Sequence, residues 1–511
     1  MAGSTARRPN LLLIMADQLA PQMLRAYGSS PARTPHIDRL AERGVVFENA
    51  CCNFPLCAPS RYSMLSGRLA SRIGAFDNAA EFPASVPTFN HYLRLAGYRT
   101  CLAGKMHFVG PDQLHGYEER VTTDVYPSGF LWSPDWRLDD ESWLEWYHGM
   151  RAVLDSGPHR RSVNIAYDDE VGFEAVRWLH ERADGGDRRP FALTVSFISP
   201  HDPYLAPPAW WDRYRGVGMD RPAVADIPLA GRDPHSRRHW FLTGRHRDAV
   251  GEPDVLRMRR AYCAVTSYVD AQLGRLLETL DAIGASDDTM IVFTSDHGDM
   301  LGERGMFFKM SFFEWSLRVP LIVHAPFAFA PGRVAANVSL LDLFPTLLEA
   351  AGDGALPELA APVDGRSLAP LASAAGAPDW PDLVRAEYTA EGVRAPQLMV
   401  RKGPYKLIAG HGDPPMLFDL GADPDERRDL ARDPAFSATR AALEAIVART
   451  WDVDALDRAV RESQAARRLA GAALGIGART PWDYRPVRDA ARLYFREPGD
   501  VQESYAGSPR R

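Results

Sequence analysis

Short apolar segments alternate with longer stretches of helical periodicity through about the first 350 residues of the chain. Apolar runs bounded by glycine, proline or polar residues are typical of strands buried inside a parallel sheet. Between them, apolar side chains recur every three or four positions, which indicates amphipathic helices. The predicted strands are residues 11–15, 98–103, 191–198, 290–294 and 319–324, and the predicted helices are residues 36–43, 88–95, 170–183, 255–283 and 340–351.

This alternation predicts an α/β domain at residues 1–375, in which a mostly parallel central sheet is sandwiched between helices. A stretch rich in proline, alanine and glycine at residues 351–380 leads to a smaller α+β domain at residues 376–470. Residues 471–511 are expected to form an extended tail. The predicted elements of the smaller domain are strands at residues 397–401, 405–408 and 416–419 and a helix at residues 438–450.

Composition narrows the classes of protein. Hydrophobic residues make up 46% and charged residues 24% of the 511 positions, which is ordinary for a soluble globular protein. A net charge of −7 offers no attraction to nucleic acid or an anionic membrane, so we expect neither as a partner. The apolar run at residues 11–16 is too short for a signal peptide, and the five cysteines do not resemble a disulfide framework. We therefore expect a cytoplasmic protein.

Polar side chains follow four of the predicted strands. Because ligands bind beyond the carboxyl ends of strands in open α/β sheets, we expect these side chains to meet at one edge. Any one of them could instead be a cap or a solvated turn residue, but their joint placement favours a site. Two strands end in mostly oxygen donors that suit Ca²⁺ or Mg²⁺ and leave Mn²⁺ open: Asp17, Gln18, Asp296 and His297. The other two end in Lys105, His107 and His201.

The segment Cys57-Ala58-Pro59-Ser60-Arg61 carries the sharpest local signal. Pro59 suits the first turn of a helix, where its missing N–H costs no hydrogen bond. Cys57 would then lie at a helix N-terminus, where backbone N–H groups favour anions. Arg61 would add a fixed charge and paired donors for a tetrahedral oxyanion. The residues alone leave Cys57 as either a buried thiol or a thiolate nucleophile.

This segment, together with Ser66-Gly67-Arg68, resembles the signature of the formylglycine-dependent sulfatases of the alkaline-phosphatase-like superfamily. Other stretches that look like this family are residues 9–10, 15–18, 104–107, 201–204 and 295–298 and the lysine Lys309. The resemblance implies an alkaline-phosphatase-like large domain and a smaller C-terminal domain with a four-stranded sheet. It further implies that a formylglycine-generating enzyme oxidises Cys57 to Cα-formylglycine.

The same resemblance implies a set of site residues. Residue 57 would be both the nucleophile and a ligand of one divalent metal ion, with Ca²⁺ favoured and Mg²⁺ or Mn²⁺ as alternatives. The remaining metal ligands would be Asp17, Gln18, Asp296 and His297. The other catalytic residues would be Arg61, Lys105, His107, His201 and Lys309.

Within the family, residues 105–116, 132–136, 299–305 and 480–484 look like choline sulfatases. This implies hydrolysis of the small sulfate ester choline-O-sulfate. Trp132, His148 and Glu391 would then bind the quaternary ammonium, which requires aromatic faces and a carboxylate, and Glu387 competes with Glu391 for the acidic role. A homo-oligomer, either a dimer or a tetramer, is also implied. Its C-terminal tail would close a neighbouring site, although residues 495–511 depart from the expected pattern.

Three alternatives stay open. A tetrahedral anion site alone does not separate a sulfatase from a phosphonate or phosphate monoester hydrolase of the same superfamily. The aromatic-rich residues 132–146 would also suit the aryl group of an arylsulfatase substrate. If Cys57 is never converted, the protein would be a non-catalytic anion-binding module.

Overall fold

The structure is a computed structural model that describes residues 8–28, 30–138, 146, 148–352, 354–373, 376–478 and 481–487. The strands in chain order are β1 (Asn10–Ala16), β2 (Val45–Cys51), β3 (Arg99–Gly104), β4 (Glu119–Arg120), β5 (Gly157–Pro158), β6 (Phe191–Phe197), β7 (Leu205–Ala206), β8 (Thr289–Thr294), β9 (Leu321–His324), β10 (Gly332–Ser339), β11 (Leu383–Tyr388), β12 (Gln397–Lys402), β13 (Tyr405–Gly410) and β14 (Met416–Asp419).

The α-helices within the described residues make up most of the remaining regular structure. In chain order they are α1 (Pro35–Arg43), α2 (Cys57–Ser66), α3 (Phe89–Leu95), α4 (Arg151–Leu154), α5 (Val163–Asp184), α6 (Pro208–Trp211), α7 (Pro234–Leu242), α8 (Glu252–Ala282), α9 (Glu314–Leu317), α10 (Leu343–Ala351), α11 (Ala369–Ala372), α12 (Ser437–Thr450) and α13 (Val453–Leu474). Among these described helices, none has both the length and the apolarity needed to cross a membrane.

The larger sheet has eight strands in the order β10-β2-β9-β8-β1-β6-β3-β4. β1 lies at its centre and pairs in parallel with β6 and β8. Every residue of these three strands is buried, because helices cover both faces of the sheet. The predicted α/β class and mostly parallel sheet are thus confirmed.

Two features of this sheet differ from the sequence prediction. The strand predicted at residues 319–324 begins at Leu321 and runs antiparallel to both β2 and β8. Strands β2 and β10 were not predicted, because Glu48 and Asn49 interrupt the apolar run of β2 and the first half of β10 is largely exposed.

The smaller sheet is antiparallel, in the order β11-β12-β13-β14, and helix α12 packs against β12 and β13. Its last three strands and α12 agree with the predicted elements, whereas β11 and the 22-residue helix α13 were not predicted. The predicted domain boundary at residue 375 falls outside the described residues.

The described part of the predicted tail packs on the large domain. Asp483 accepts hydrogen bonds from the backbone N and the Oγ of Ser128, at 3.0 and 2.9 Å, and the ring of Trp482 meets that of Phe130 edge-on. The rest of the tail, residues 488–511, lies outside the described residues.

Candidate active site

Strand register brings the predicted site residues to one edge of the larger sheet. Met15 of β1 pairs with Thr294 of β8, and Ala16 pairs with Phe197 of β6. The three strands therefore end level with one another, and the chain leaves them directly into the polar segments that follow. The predicted meeting of these segments at the carboxyl edge is observed.

Helix α2 begins at Cys57, with Leu56 extended before it and Pro59 in its first turn. The backbone N–H of Ala58 donates to Oδ1 of Asn78 at 3.0 Å, so one free donor of the helix terminus is satisfied and the start of the helix is held in place. The side chain of Cys57 points into the same buried region as the ends of β1 and β8.

Four side chains there form a compact group of metal-ligand type. Donor atoms of Asp17, Cys57, Asp296 and His297 all lie within 4.8 Å of one another, and all four residues are buried. Nε2 of His297 lies 3.3 Å from Sγ of Cys57, 3.7 Å from Oδ2 of Asp296 and 4.0 Å from Oδ1 of Asp17. Ligands about 2.0–2.6 Å from one cation lie roughly 3–4 Å apart, so this group fits a divalent metal ion.

Two cations neutralise the carboxylates of this group. Arg61 donates through Nε to Asp296 and through Nη2 to Asp17, both at 2.9 Å. Lys105 contacts the carboxylate of Asp17, and its Nζ lies 3.5 Å from Sγ of Cys57. Burial opposes ionisation of Asp17, but the charge of Lys105, together with that of Arg61, outweighs it and holds the pKa of Asp17 well below its usual range. The carboxylate of Asp17 can therefore stay charged without contact with water.

The environment of Cys57 disfavours its thiolate form. Burial, followed by the negative charge of Asp17, raises its pKa to about 11 despite the nearby Lys105. A thiol with this pKa is protonated at neutral pH, so it is a poor nucleophile. Burial thus disfavours a thiolate at Cys57, and the conversion of this residue to formylglycine stays a prediction.

Gln18 occupies a left-handed backbone conformation with φ of 62°. Its Oε1 accepts a hydrogen bond from Nζ of Lys309 at 2.7 Å, and its Nε2 donates to Oδ2 of Asp299 at 2.6 Å. Tyr204 donates to the same oxygen at 2.7 Å. The amide oxygen of Gln18 thus faces Lys309, and a role for Gln18 as a metal ligand stays a prediction.

Lys309 and His201 form a second basic pair, in which Nζ of Lys309 lies 2.6 Å from Nε2 of His201. Nδ1 of His201 lies 2.7 Å from the carbonyl oxygen of Asp202, which requires Nδ1 to donate. Burial, followed by the charge of Lys309, keeps the pKa of His201 well below its usual range. A neutral His201 can therefore accept a hydrogen bond from the Lys309 ammonium.

His107 lies beside an aromatic group. Its ring centroid is 4.9 Å from that of Tyr126 and 5.7 Å from that of Trp132, and Nζ of Lys105 lies 4.3 Å from the centre of the Tyr126 ring. Neither ring nitrogen of His107 has a hydrogen-bond partner among the described residues. Burial and the charge of Lys105 lower its pKa to about 3, so His107 is a neutral base with a free lone pair.

The three residues predicted to bind choline reach the site through different neighbours. Trp132 contacts His107, and His148 meets Phe308, the neighbour of Lys309 along the chain, with ring centroids 5.2 Å apart. Glu391 is 2% exposed, and neither of its carboxylate oxygens accepts a hydrogen bond from another residue that the structure describes. Burial, followed by the charge of Asp77, raises the pKa of Glu391 to about 7.

Glu387, the competing carboxylate, is already engaged. One of its oxygens accepts from the backbone N of Ser71 and the other from Nε1 of Trp451 at 2.7 Å. Between the two acids, only Glu391 keeps its oxygens available to a ligand. The aromatic stretch proposed for an aryl group is described only in part, because residues 139–145 lie outside the described ranges.

Sequence reasoning missed several supporting residues. They are Asn78, which holds the N-terminus of α2; Tyr126, which lies under Lys105; and His239, whose Nε2 lies 3.1 Å from the carbonyl oxygen of Lys309. Each acts through tertiary contacts with residues that are not its neighbours in the sequence. No local pattern in the sequence marks such a contact.

The fold places a buried group of metal-ligand type at the carboxyl edge of a mostly parallel sheet. Residues 9–353 match the family described as Sulfatase, and the chain belongs to that family, whose members hydrolyse sulfuric esters. Residues 302–451 match the family described as N-sulphoglucosamine sulphohydrolase, C-terminal, and residues 458–505 match the one described as Choline sulfatase enzyme C terminal.

Two curated relatives cover most of the chain. A choline-sulfatase of Rhizobium meliloti (strain 1021) is 45% identical over 498 residues, which is 96% of either chain. The multifunctional alkaline phosphatase superfamily protein PehA of Trinickia caryophylli is 29% identical over 84% of this chain and 93% of its own length. The first relative resembles this chain well beyond the catalytic domain.

Solved structures support the fold. The phosphonate monoester hydrolase of Agrobacterium radiobacter has a TM-score of 0.68 and 24% identity, covering 86% of this chain and 95% of its own. BT4656 in complex with its substrate D-glucosamine-2-N,6-O-disulfate has a TM-score of 0.69 and 23% identity, covering 89% and 99%. The predicted alkaline-phosphatase-like architecture is thereby confirmed.

Proposed function

We propose that this protein hydrolyses choline-O-sulfate to choline and sulfate. The observation that supports this choice of substrate is the carboxylate of Glu391. It is buried and accepts no hydrogen bond from another described residue. A buried carboxylate without a partner is costly, and a cationic ligand is the group that would compensate it. The identity to a choline-sulfatase over nearly the whole chain supports the same substrate.

The ammonium group of choline needs aromatic faces as well as a negative charge, because it has no N–H to donate. Trp132 and His148 supply aromatic rings near the site, through His107 and Phe308 respectively. Burial, with the nearby charges of Lys309 and His239, holds the pKa of His148 well below its usual range, so its ring is neutral and does not repel a cation. We assign the binding of the ammonium to Trp132, His148 and Glu391.

The nucleophile is assigned to residue 57. Oxidised to formylglycine and hydrated, this residue would present a hydroxyl to the sulfur atom and would later expel sulfate by reforming its aldehyde. A divalent metal held by Asp17, Asp296, His297 and residue 57, with Gln18 as a further candidate, would lower the pKa of that hydroxyl and polarise a sulfate oxygen. We favour Ca²⁺ because most of these donors are oxygens.

The basic residues of the site divide into two roles. Each nitrogen of Arg61 donates a hydrogen bond within the protein, and the acceptors are Asp17, Asp296, Ser196 and the carbonyl oxygen of Lys105. We therefore assign Arg61 to orient the metal-binding carboxylates. Lys105 and Lys309 are charged and lie next to the ligand group or to Gln18. They would offset the charge of the sulfate oxygens during transfer.

Choline is a poor leaving group, so its oxygen needs a proton as the ester bond breaks. His201 and Lys309 are the candidates for this general acid. Because a neutral His201 accepts the hydrogen bond from Lys309, we assign the proton to Lys309 and the orientation of its ammonium to His201. His107, with a free lone pair, would accept the proton when sulfate is expelled.

A matched pair of substrates tests this proposal. The ester 3,3-dimethylbutyl sulfate has the shape of choline-O-sulfate but carries a neutral carbon in place of the ammonium nitrogen. We expect kcat/KM to be at least about tenfold higher for choline-O-sulfate, since a desolvated cation gains about 2 kcal/mol or more on aromatic faces. Equal values, or faster turnover of an aryl sulfate or a phosphonate monoester, would refute the choice of substrate.

The remaining predictions from the sequence and from the family resemblance belong to the same proposal. They are a homo-oligomer, maturation by a formylglycine-generating enzyme and a cytoplasmic location. Size determination in solution, co-expression with such an enzyme and cell fractionation would test them in turn.

A further inference from the structure

One face of helix α13 contacts two loops that carry candidate choline-binding residues. Arg461, Gln464 and Arg467 recur every three positions, which places them along one side of the helix. We call residues 130–137, which include Trp132, the aromatic loop. Residues 389–394, which include Glu391, are called the acidic loop.

Trp136 of the aromatic loop joins all three elements. It is 2% exposed, its indole Nε1 donates to the carbonyl oxygen of Ala390 at 3.1 Å, and its backbone N donates to Oε1 of Gln464 at 3.0 Å. Ala390 directly precedes Glu391. The indole hydrogen bond therefore fixes the distance between the two loops next to the acidic residue.

Arg461 ties the same two loops from the helix. Its Nη1 donates to the carbonyl oxygen of Trp136 at 2.9 Å, and its Nη2 donates to that of Arg394 at 2.7 Å. Asp457, one turn earlier on α13, orients this guanidinium through Nε at 2.7 Å. A planar guanidinium with its donors in fixed directions holds two backbone segments at a defined separation.

Arg467 adds a third connection. It forms a buried, two-pronged ion pair with Asp77 at 2.7 and 2.6 Å, and it also donates to Oγ of Ser133 at 2.9 Å. Asn78, the neighbour of Asp77, holds the backbone of Ala58 at the start of α2. The aromatic loop is thus tied to the segment that supports the nucleophile.

We propose that Arg461, Gln464 and Trp136 are positioning residues for substrate specificity: they set the separation between the aromatic and acidic loops to fit a quaternary ammonium group. This inference rests on the proposed choline substrate. The segment that matches the family described as Choline sulfatase enzyme C terminal starts at residue 458, within α13, and contains both helix residues. The geometry gives that part of the helix a role in the selection of the cation.

Conservative substitutions test the inference in the full-length enzyme. Trp136→Phe keeps an aromatic ring but removes the indole donor, and Gln464→Met keeps the volume but removes the acceptor. For each, we expect KM for choline-O-sulfate to rise about fivefold, the effect of one lost hydrogen bond, with kcat little changed. The value of kcat/KM for a small aryl sulfate that lacks an ammonium group should stay within about twofold.

Two further variants serve as rescue and control. Gln464→Glu keeps the accepting oxygen, and Nε2 of Gln464 has no hydrogen-bond partner among the described residues, so this variant should retain the wild-type KM. Glu462→Met makes a similar change at an exposed position of the same helix and should leave both substrates unaffected.

The outcomes separate this inference from the proposed function. If the wild-type enzyme does not prefer choline-O-sulfate to 3,3-dimethylbutyl sulfate, the proposed substrate is wrong. The inference is then wrong as well. Suppose that the wild type shows the preference, but that Trp136→Phe and Gln464→Met slow the turnover of both substrates equally or of neither. The inference alone is then overturned. A selective rise in KM for choline-O-sulfate, restored by Gln464→Glu, supports it.

Discussion

Nζ of Lys309 lies 2.6 Å from Nε2 of His201, deep inside the site and next to Gln18. Two basic groups at this distance cannot both be charged at low cost, and the lowered pKa of His201 indicates that the imidazole is the neutral member. The pair thus holds one proton on Lys309, aimed by a neutral His201. This arrangement suits protonation of a leaving group.

The first prediction concerns this pair and the basicity of the leaving group. Lys309→Met should lower kcat for choline-O-sulfate by roughly 10²–10⁴-fold, because the departing alkoxide then lacks its proton donor. For p-nitrophenyl sulfate, whose leaving group needs no proton, the loss should be much smaller. Steady-state kinetics on both esters measure the difference. Equal losses would assign Lys309 to charge stabilisation alone.

The second prediction concerns the pH dependence of choline binding. Burial raises the pKa of Glu391 to about 7, so in the free enzyme its carboxylate is charged above that pH and neutral below it. Only the charged form attracts an ammonium group. We therefore expect KM for choline-O-sulfate to rise as the pH falls through about 7. For 3,3-dimethylbutyl sulfate, which lacks the ammonium charge, KM should not change in that range.

The matched variant is Glu391→Gln, which keeps the size of the side chain. It should raise KM for choline-O-sulfate at pH 8 by about tenfold and remove the rise in KM near pH 7. Glu387→Gln is the comparison, because the oxygens of Glu387 are held by Ser71 and Trp451. If the rise near pH 7 persists in Glu391→Gln, another group is responsible for it.

Much of the fold could be predicted from the local pattern of apolar and polar residues. Particular elements show why the rest could not. β1, β6 and β8 are continuous apolar runs that end in polar residues, so both the strands and the position of Asp17 and Asp296 were predictable. β10 and α13 have no such signature. The first half of β10 is largely exposed, and α13 is stabilised by buried polar contacts such as that of Arg467 with Asp77.

The same distinction holds inside the site. Strand ends predicted Asp17, Gln18, Asp296 and His297 as metal ligands, and the family resemblance added Cys57. In the structure, all of these except Gln18 form the buried group of metal-ligand type. The choice between Glu387 and Glu391 required three-dimensional contacts, since both residues lie in or after β11. Only the structure distinguishes the acid that is already hydrogen-bonded from the one that is not.

The third prediction concerns stability at the junction of the two sheets. Lys406 of β13 is buried, pairs with Oε1 of Glu314 at 2.9 Å, contacts the carboxylate of Glu426 and donates to the carbonyl oxygen of Phe312. Lys406→Met would leave the buried carboxylate of Glu426 without its cation, and Glu314 would keep its ion pair with Arg401 at 3.0 Å. We expect the free energy of unfolding to fall by about 3–5 kcal/mol, measured by denaturant titration.

An exposed ion pair provides the control for that measurement. Arg151 and Asp155 lie 3.0 Å apart, but their side chains are 75% and 52% exposed. Arg151→Met should therefore cost less than about 1 kcal/mol. Similar losses in the two variants would show that the network around Lys406 is not a special source of stability.

The fourth prediction concerns the metal ion. Removal of metal with a chelator should lower the rate about a hundredfold or more, and Ca²⁺, Mg²⁺ and Mn²⁺ added singly should show which ion restores it. Binding of the ion should also raise the melting temperature by mass action. Asp17→Asn should abolish both effects. Full activity in protein whose metal content is negligible by elemental analysis would exclude the proposed metal site.

The central claim is that residue 57 acts as formylglycine, and the mass of one tryptic peptide tests it most directly. Cleavage after Arg43 and Arg61 releases residues 44–61, which contain Cys51, Cys52 and Cys57. In active enzyme treated with a thiol-alkylating reagent, we predict two alkylated cysteines and an aldehyde at residue 57, and the fraction of aldehyde should track specific activity. Three alkylated cysteines in fully active enzyme would contradict the account.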